Sequence, residues 1–91
     1  MIGYKAFSKN MTNRKGYIFN IDKELIYHIN KPIKLRGTGF HFCKNILSCL
    51  IWYQNIFNIT IYKIEILGDV IDSKFTPKSV TNKFRFIEKV F

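Results

Sequence analysis

At 91 residues the chain has room for one core but not for two domains or for large appended sites. Its 47% hydrophobic and 16% aromatic content excludes a disordered chain. A formal charge of +9, from 15 Lys and Arg against 6 Asp and Glu, favours polyanionic partners such as nucleic acid, acidic proteins, phosphorylated ligands or an anionic membrane face, although a Lys-, Ile- and Asn-rich chain is also what an AT-rich genome produces.

Met1-Ile2-Gly3-Tyr4-Lys5 lacks the basic start, apolar run and cleavage site of a secretory leader. The segment Ile2 to Ser8 has the aromatic and aliphatic content of a first strand. KNMTNRKG, residues 9–16, reads as a polar turn in which Gly16 suits a positive φ, and GYIFN returns as the second half of a hairpin. KELIYHI, residues 23–29, is a strand or a single helical turn, closed by Pro32, which biases Lys31 away from helix.

GTGFHFCKN, Gly37 to Asn45, follows. Its glycines suit a bend, and Phe40 and Phe42 alternate with His41, so inward-packed phenylalanines turn His41 to the opposite face. Asn45 is a natural N-cap, and Leu47, Leu50 and Ile51 at helical spacing predict a short helix over about residues 45–53. NITIYKIEILGDVI, Asn58 to Ile71, is the strongest strand signal and the candidate central strand. Its alternation slips near Tyr62: Ile59 and Ile61 share one parity, Ile64 and Ile66 the other, which requires cover on both faces or a bulge. After the loop DSKFTPKS, the segment SVTNKFRFIEKVF predicts a last strand with Val80, Phe84, Phe86 and Val90 on one face and Thr81, Lys83, Arg85 and Lys89 on the other. The expected fold is α+β: a single domain, residues 1–91, with a small, twisted, mostly antiparallel sheet and one short helix.

Cys43 and Cys49 are the only cysteines. Together with His28 and His41 they lack zinc-site spacing. If both lay on one helix, their Cα atoms would be about 9 Å apart, too far for a disulfide. Two buried free thiols in a reducing compartment are expected. The longest apolar stretch, Ile46 to Tyr53, is far shorter than a membrane span. A soluble intracellular protein without metal or cofactor is the resulting expectation.

Two candidate sites compete with structural readings. His41 is either a hydrogen-bonded structural residue or part of a nucleotide cleft with Arg36, Gly39 and Tyr53. No nucleophile–base spacing accompanies it, and GTG lacks both the later glycine of a dinucleotide loop and a Lys-Ser/Thr pair, so no catalytic residue is assigned. The second candidate is the basic set Lys74, Lys78, Lys83, Arg85 and Lys89, a stripe suited to phosphates. Single-strand binders place aromatics beside such cations for bases to stack on. Here Phe84 and Phe86 fall on the face opposite Lys83 and Arg85, as core residues do, so a merely solvated charged face competes with a binding face.

Tyr4-Lys5-Ala6-Phe7, Met11-Thr12 with Arg14, Gly39-Phe40-His41-Phe42-Cys43, Trp52-Tyr53, Gly68-Asp69-Val70 and Lys78-Ser79-Val80-Thr81-Asn82-Lys83 together resemble a family of small uncharacterised phage, prophage and bacterial proteins. The resemblance covers nearly the whole chain; Ile46 departs from it, where the family often has proline. The resemblance implies a phage or mobile-element accessory protein that acts by binding in the cytoplasm of a bacterial host. Its implied partner is a host defence protein or nucleoprotein, as for an anti-CRISPR inhibitor, with RNA or DNA as further ligands and a homodimer as an open state. The segment GTGFHFCKNILSCLIWY with the following strand and LGDV is also similar to the core of poly(ADP-ribose) polymerases. That similarity implies a nucleotide-binding or ADP-ribosyltransferase-like domain, with His41 at the active-site tyrosine position and Glu88 as a loose match for the catalytic glutamate.

Overall fold

The computed structural model describes residues 1–7, 21, 24–52 and 59–91; the hairpin expected over residues 9–20 lies outside them. In chain order the elements are β1 (Ile2–Phe7), β2 (Ile26–His28), β3 (Phe40–Cys43), α1 (Ile46–Trp52), β4 (Thr60–Ile66), β5 (Val70–Asp72), β6 (Lys78–Thr81) and β7 (Lys83–Lys89). The seven strands form one sheet in the order β2-β7-β4-β1-β3-β6-β5. Every pairing is antiparallel. With one short helix among the described residues, this is a sheet-dominated α+β fold.

The sheet curls onto itself. Strands four places apart in a flat sheet lie about 19 Å from one another, yet the rings of Tyr27 on β2 and Phe40 on β3 are 6.1 Å apart. Phe40 also meets Phe84 on β7 edge to face at 4.9 Å. The concave side therefore encloses Phe7, Phe40, Phe42, Ile64, Ile66, Phe84 and Phe86. Edge-to-face aromatic pairs of this kind add to the hydrophobic gain of burial.

Lys5 shares that buried side. Its ammonium donates to the His41 carbonyl at 2.7 Å and sits 5.7 Å from the Phe7 ring centroid. A buried charge needs such partners to offset its lost hydration.

The expected last strand is two strands. β6 joins β3 and β5, then the chain bends at Asn82 and β7 joins β4 and β2. The bend overturns the parity read from sequence. Thr81, expected outside, is fully buried, and Val80 does not share the concave face with Phe84 and Phe86. Gly68 and Asn82 explain the corner: a Cβ on Gly68 would collide with the Asn82 side-chain oxygen, which accepts the Asp69 backbone N–H at 2.9 Å. The GDV and TNK segments thus meet in space.

The slip near Tyr62 has both of its possible causes. Ile61 is buried beneath α1 with Cys43 and Cys49, while Ile64 and Ile66 face the aromatic interior. The β4–β7 register also shifts between Lys63 and Ile64, where the partner changes from Glu88 to Phe86 and skips Ile87. The middle of the sheet is β1; the segment Asn58 to Ile71, expected as one central strand, instead yields β4 beside β1 and β5 at the edge of the sheet.

Asn45 caps α1 as its chemistry dictates, accepting the Ser48 N–H through its side-chain oxygen at 2.8 Å. The inward face differs from expectation. Cys49 is buried and Ile46 and Leu50 pack beside it, whereas Leu47 and Ile51 are 66% and 67% exposed. Helical spacing alone fixes a stripe of neighbours, and the angle at which the Asn45 turn delivers the helix decides which side of it meets the sheet.

Phe84→Ala is expected to cost about 3–5 kcal/mol, and Leu47→Ala to stay within about 0.5 kcal/mol, both read as shifts of the urea midpoint. Reversed magnitudes would contradict the curled interior. Gly68→Ala should cost about 1–3 kcal/mol through crowding at the Asn82 corner; an unchanged midpoint would show that the corner relaxes without loss.

Candidate functional site

The Gly37–Asn45 segment is built as a bend that feeds a packed strand. Gly39 has φ near +134°, a region that side chains disfavour, and a Cβ there would collide with Val80 and crowd Ile33. A tight turn precedes it, closed by Lys34 N–H to the Thr38 carbonyl at 2.8 Å and by Gly37 N–H to the Lys34 carbonyl at 3.2 Å. Phe40 and Phe42 enter the core and His41 takes the opposite face, as alternation requires. The His41 ring lies 2.6 Å from the Leu35 carbonyl through Nε2. A carbonyl only accepts, so Nε2 carries the proton and pins the connection before β3 onto the strand. Arg36 stands exposed at the top of that turn. Tyr53 lies outside the described residues.

The two thiols are not on one helix: Cys43 closes β3, Cys49 is on α1, and both sit in one buried cluster with Ile61. Both are buried, and the Cys49 thiol donates to the Tyr4 carbonyl at 3.9 Å. The neighbouring Cys49 thiol, with help from the Lys78 and Lys5 ammoniums, outweighs burial and holds the Cys43 thiol below the usual thiol range. Cys49, beside Cys43 and itself buried, is pushed well up.

The basic residues read from sequence divide between two regions. Lys83 and Arg85 lie on the outer side of β7, opposite His28 and Ile26 of β2. Arg85 is ion-paired with Glu65 at 2.5 Å, and both are substantially exposed. Lys89 pairs with Tyr62 beyond the β7 register shift and is exposed. The carboxylates Glu65 and Glu88 accompany these three cations on β4 and β7.

The other region is the β3–β6–β5 half. Lys78 begins β6 opposite Cys43, and Lys74 is exposed on the β5–β6 loop. The connection over residues 30–38 lies against this half, since Ile33 packs beside the Gly39 position and Leu35 accepts from His41. That connection adds Lys31, Lys34 and Arg36, all exposed. Lys44, between β3 and α1, joins them.

Among the described residues, Asp69 and Asp72 lie on this half and both are engaged. Asp69 meets the Asn82 side chain, and Asp72 accepts from Lys44 at 2.7 Å and from the Ser79 hydroxyl at 2.6 Å. The fold thus places Lys74 and Lys78 on the same half of the sheet as Arg36, which belonged to a separate candidate in the sequence, with Lys83, Arg85 and Lys89 on the other half. Lys31, Lys34 and Lys44 escaped the sequence reading because they lie on connections between elements, where no strand or helix period marks them. Phe75, in the same loop as Lys74, also escaped it and is 94% exposed.

The chain belongs to the family defined by a domain of unknown function, DUF7666, whose model matches residues 1–90. No curated protein and no solved structure matches the chain.

The Lys44 and Ser79 hydrogen bonds hold the Asp72 carboxyl below its usual value of 3.8. An acid whose pKa falls on folding stabilises the fold at neutral pH, and that contribution is lost as pH drops through its folded pKa. Asp72→Asn should therefore melt below the parent protein at pH 7, with the gap closing as pH falls under about 3.8. A gap independent of pH in thermal melts would remove the carboxylate's charge from the account.

Proposed function

We propose that this DUF7666 protein acts by binding a polyanion, the nucleic acid of a host nucleoprotein, through the basic β3–β6–β5 half. The carrying observation is the uneven distribution of charge. Six cations, Lys31, Lys34, Arg36, Lys44, Lys74 and Lys78, lie on this half with Asp69 and Asp72, of which Asp72 is ion-paired with Lys44, whereas Lys83, Arg85 and Lys89 lie with Glu65 and Glu88. A net positive field of this kind raises the local concentration of phosphate chains and speeds their capture.

The motif resemblance to small phage proteins supports a counter-defence setting, in which the target is a defence nucleoprotein of the CRISPR type and binding inhibits it without a cofactor. The alternative nucleotide cleft at Arg36, Gly39, His41 and Tyr53 is less well supported, because the space beside Gly39 is filled by Val80 and the His41 ring is engaged by the Leu35 carbonyl.

Two double charge reversals with equal change in net charge separate the halves: Lys34→Glu with Lys74→Glu, and Arg85→Glu with Lys89→Glu. Nucleic-acid affinity is read by fluorescence anisotropy across a salt series. Each lost phosphate contact should lower the magnitude of the log–log salt slope by about 0.7–0.9. The first pair is expected to flatten the slope by about two contacts and weaken binding at least ~10-fold at low salt, with the second pair close to the parent. Equal losses from both pairs would reduce the effect to net charge. Loss only in the second pair would move the contact to β7. Recovery of a nuclease-sensitive complex from bacterial lysate by the parent protein but not by the first pair tests the class of partner.

A further inference from the structure

We infer that Phe75 is a stacking platform for an unpaired base, so that the basic half takes single-stranded nucleic acid in preference to duplex. This rests on the proposed polyanion reading and adds to it the form of the ligand. Phe75 is 94% exposed, the most exposed large hydrophobic residue among those described. The loop that carries it is braced. Ser73 Oγ accepts from the backbone N–H of Phe75 at 3.3 Å and of Thr76 at 3.2 Å, and Thr76 Oγ1 accepts from Lys78 N–H at 3.3 Å. Ser73 N–H donates to the Lys78 carbonyl at 3.1 Å across the base of the loop, and Pro77 fixes one further φ. An aromatic held out on such a loop loses little conformational freedom when something stacks on it.

Charge selects the occupant. Lys74 immediately precedes Phe75 and Lys78 follows three residues later, while residues 73–77 contain no carboxylate. Asp72, at the loop's base, is already bonded to Lys44 and Ser79. An aromatic face set among cations matches an unpaired base with its flanking phosphates, and every base offers such a face. A duplex keeps its bases stacked internally and presents mainly phosphates to this surface. The phenylalanines that suggested a single-strand binder in the sequence, Phe84 and Phe86, are buried; the exposed loop supplies the aromatic instead.

The test compares labelled short oligothymidylate with a mixed-sequence duplex of equal length, using the full chain and its Phe75→Ala and Phe75→Tyr variants. The parent is expected to bind the single strand more tightly than the duplex. Phe75→Ala should weaken single-strand binding about 10-fold or more while leaving the salt slope and duplex affinity unchanged, because no phosphate contact is removed. Phe75→Tyr should restore it. If Phe75→Ala binds the single strand like the parent, or the parent prefers duplex, the stacking inference is overturned and the polyanion reading stands. If neither nucleic acid binds at low salt, the polyanion reading falls and the inference with it.

Discussion

The corner at Asn82 carries hydrogen bonds from separate parts of the sheet. Its backbone carbonyl accepts the Ile29 N–H beyond β2 at 2.8 Å, its side-chain oxygen accepts Asp69 N–H before β5, and the adjacent Lys83 carbonyl accepts Leu67 N–H beyond β4 at 3.0 Å. Each of these is an amide that would otherwise lack a partner at a strand end. Because the corner satisfies them together, one run of chain serves β3 and β5 before the bend and β4 and β2 after it. The sheet curls as a result, and β2 and β3 face each other across a shared aromatic interior.

That corner also accounts for where reading the sequence succeeds and where it stops. Local chemistry is sufficient for the Asn45 cap, for the alternation of Phe40, His41 and Phe42, for the strand at Ile2–Phe7 and for the conflict of parity near Tyr62. Each is decided within a few residues by side-chain type and backbone period. The bend between Thr81 and Lys83 is decided by Gly68, a residue far away in sequence that leaves room for the Asn82 side chain. Periodicity continues through Asn82 unaltered, so the face of Val80 was assigned wrongly. The inward side of α1 and the contact between Cys43 and Cys49 fail in sequence for a related reason: both depend on the angle at which the helix returns over β1 and β3.

The basic surface has the same origin. Along the chain, Lys78, Lys83, Arg85 and Lys89 fall in one basic segment, and Arg36 is remote from them in sequence. In space, the bend sends Lys78 to the β3 side, where the 30–38 connection brings Lys34 and Arg36, and leaves Arg85 against Glu65. An engaged carboxylate beside a cation cancels much of its long-range field, whereas cations gathered in one region reinforce one another within a Debye length. The topology thus divides basic residues that form one series in the sequence between two regions of the sheet, and Phe75 stands exposed on the loop between β5 and β6.

The central claim is that the β3–β6–β5 half, and not the β7 face, is the contact surface. Amide chemical-shift mapping of the labelled protein during titration with a short single-stranded oligonucleotide tests it most directly. The account predicts shifts concentrated at residues 31–36, 44 and 73–78, with the amides of Lys83 and Arg85 essentially unmoved. Shifts concentrated on β7 and β4, or none at any residue at low salt, would contradict it.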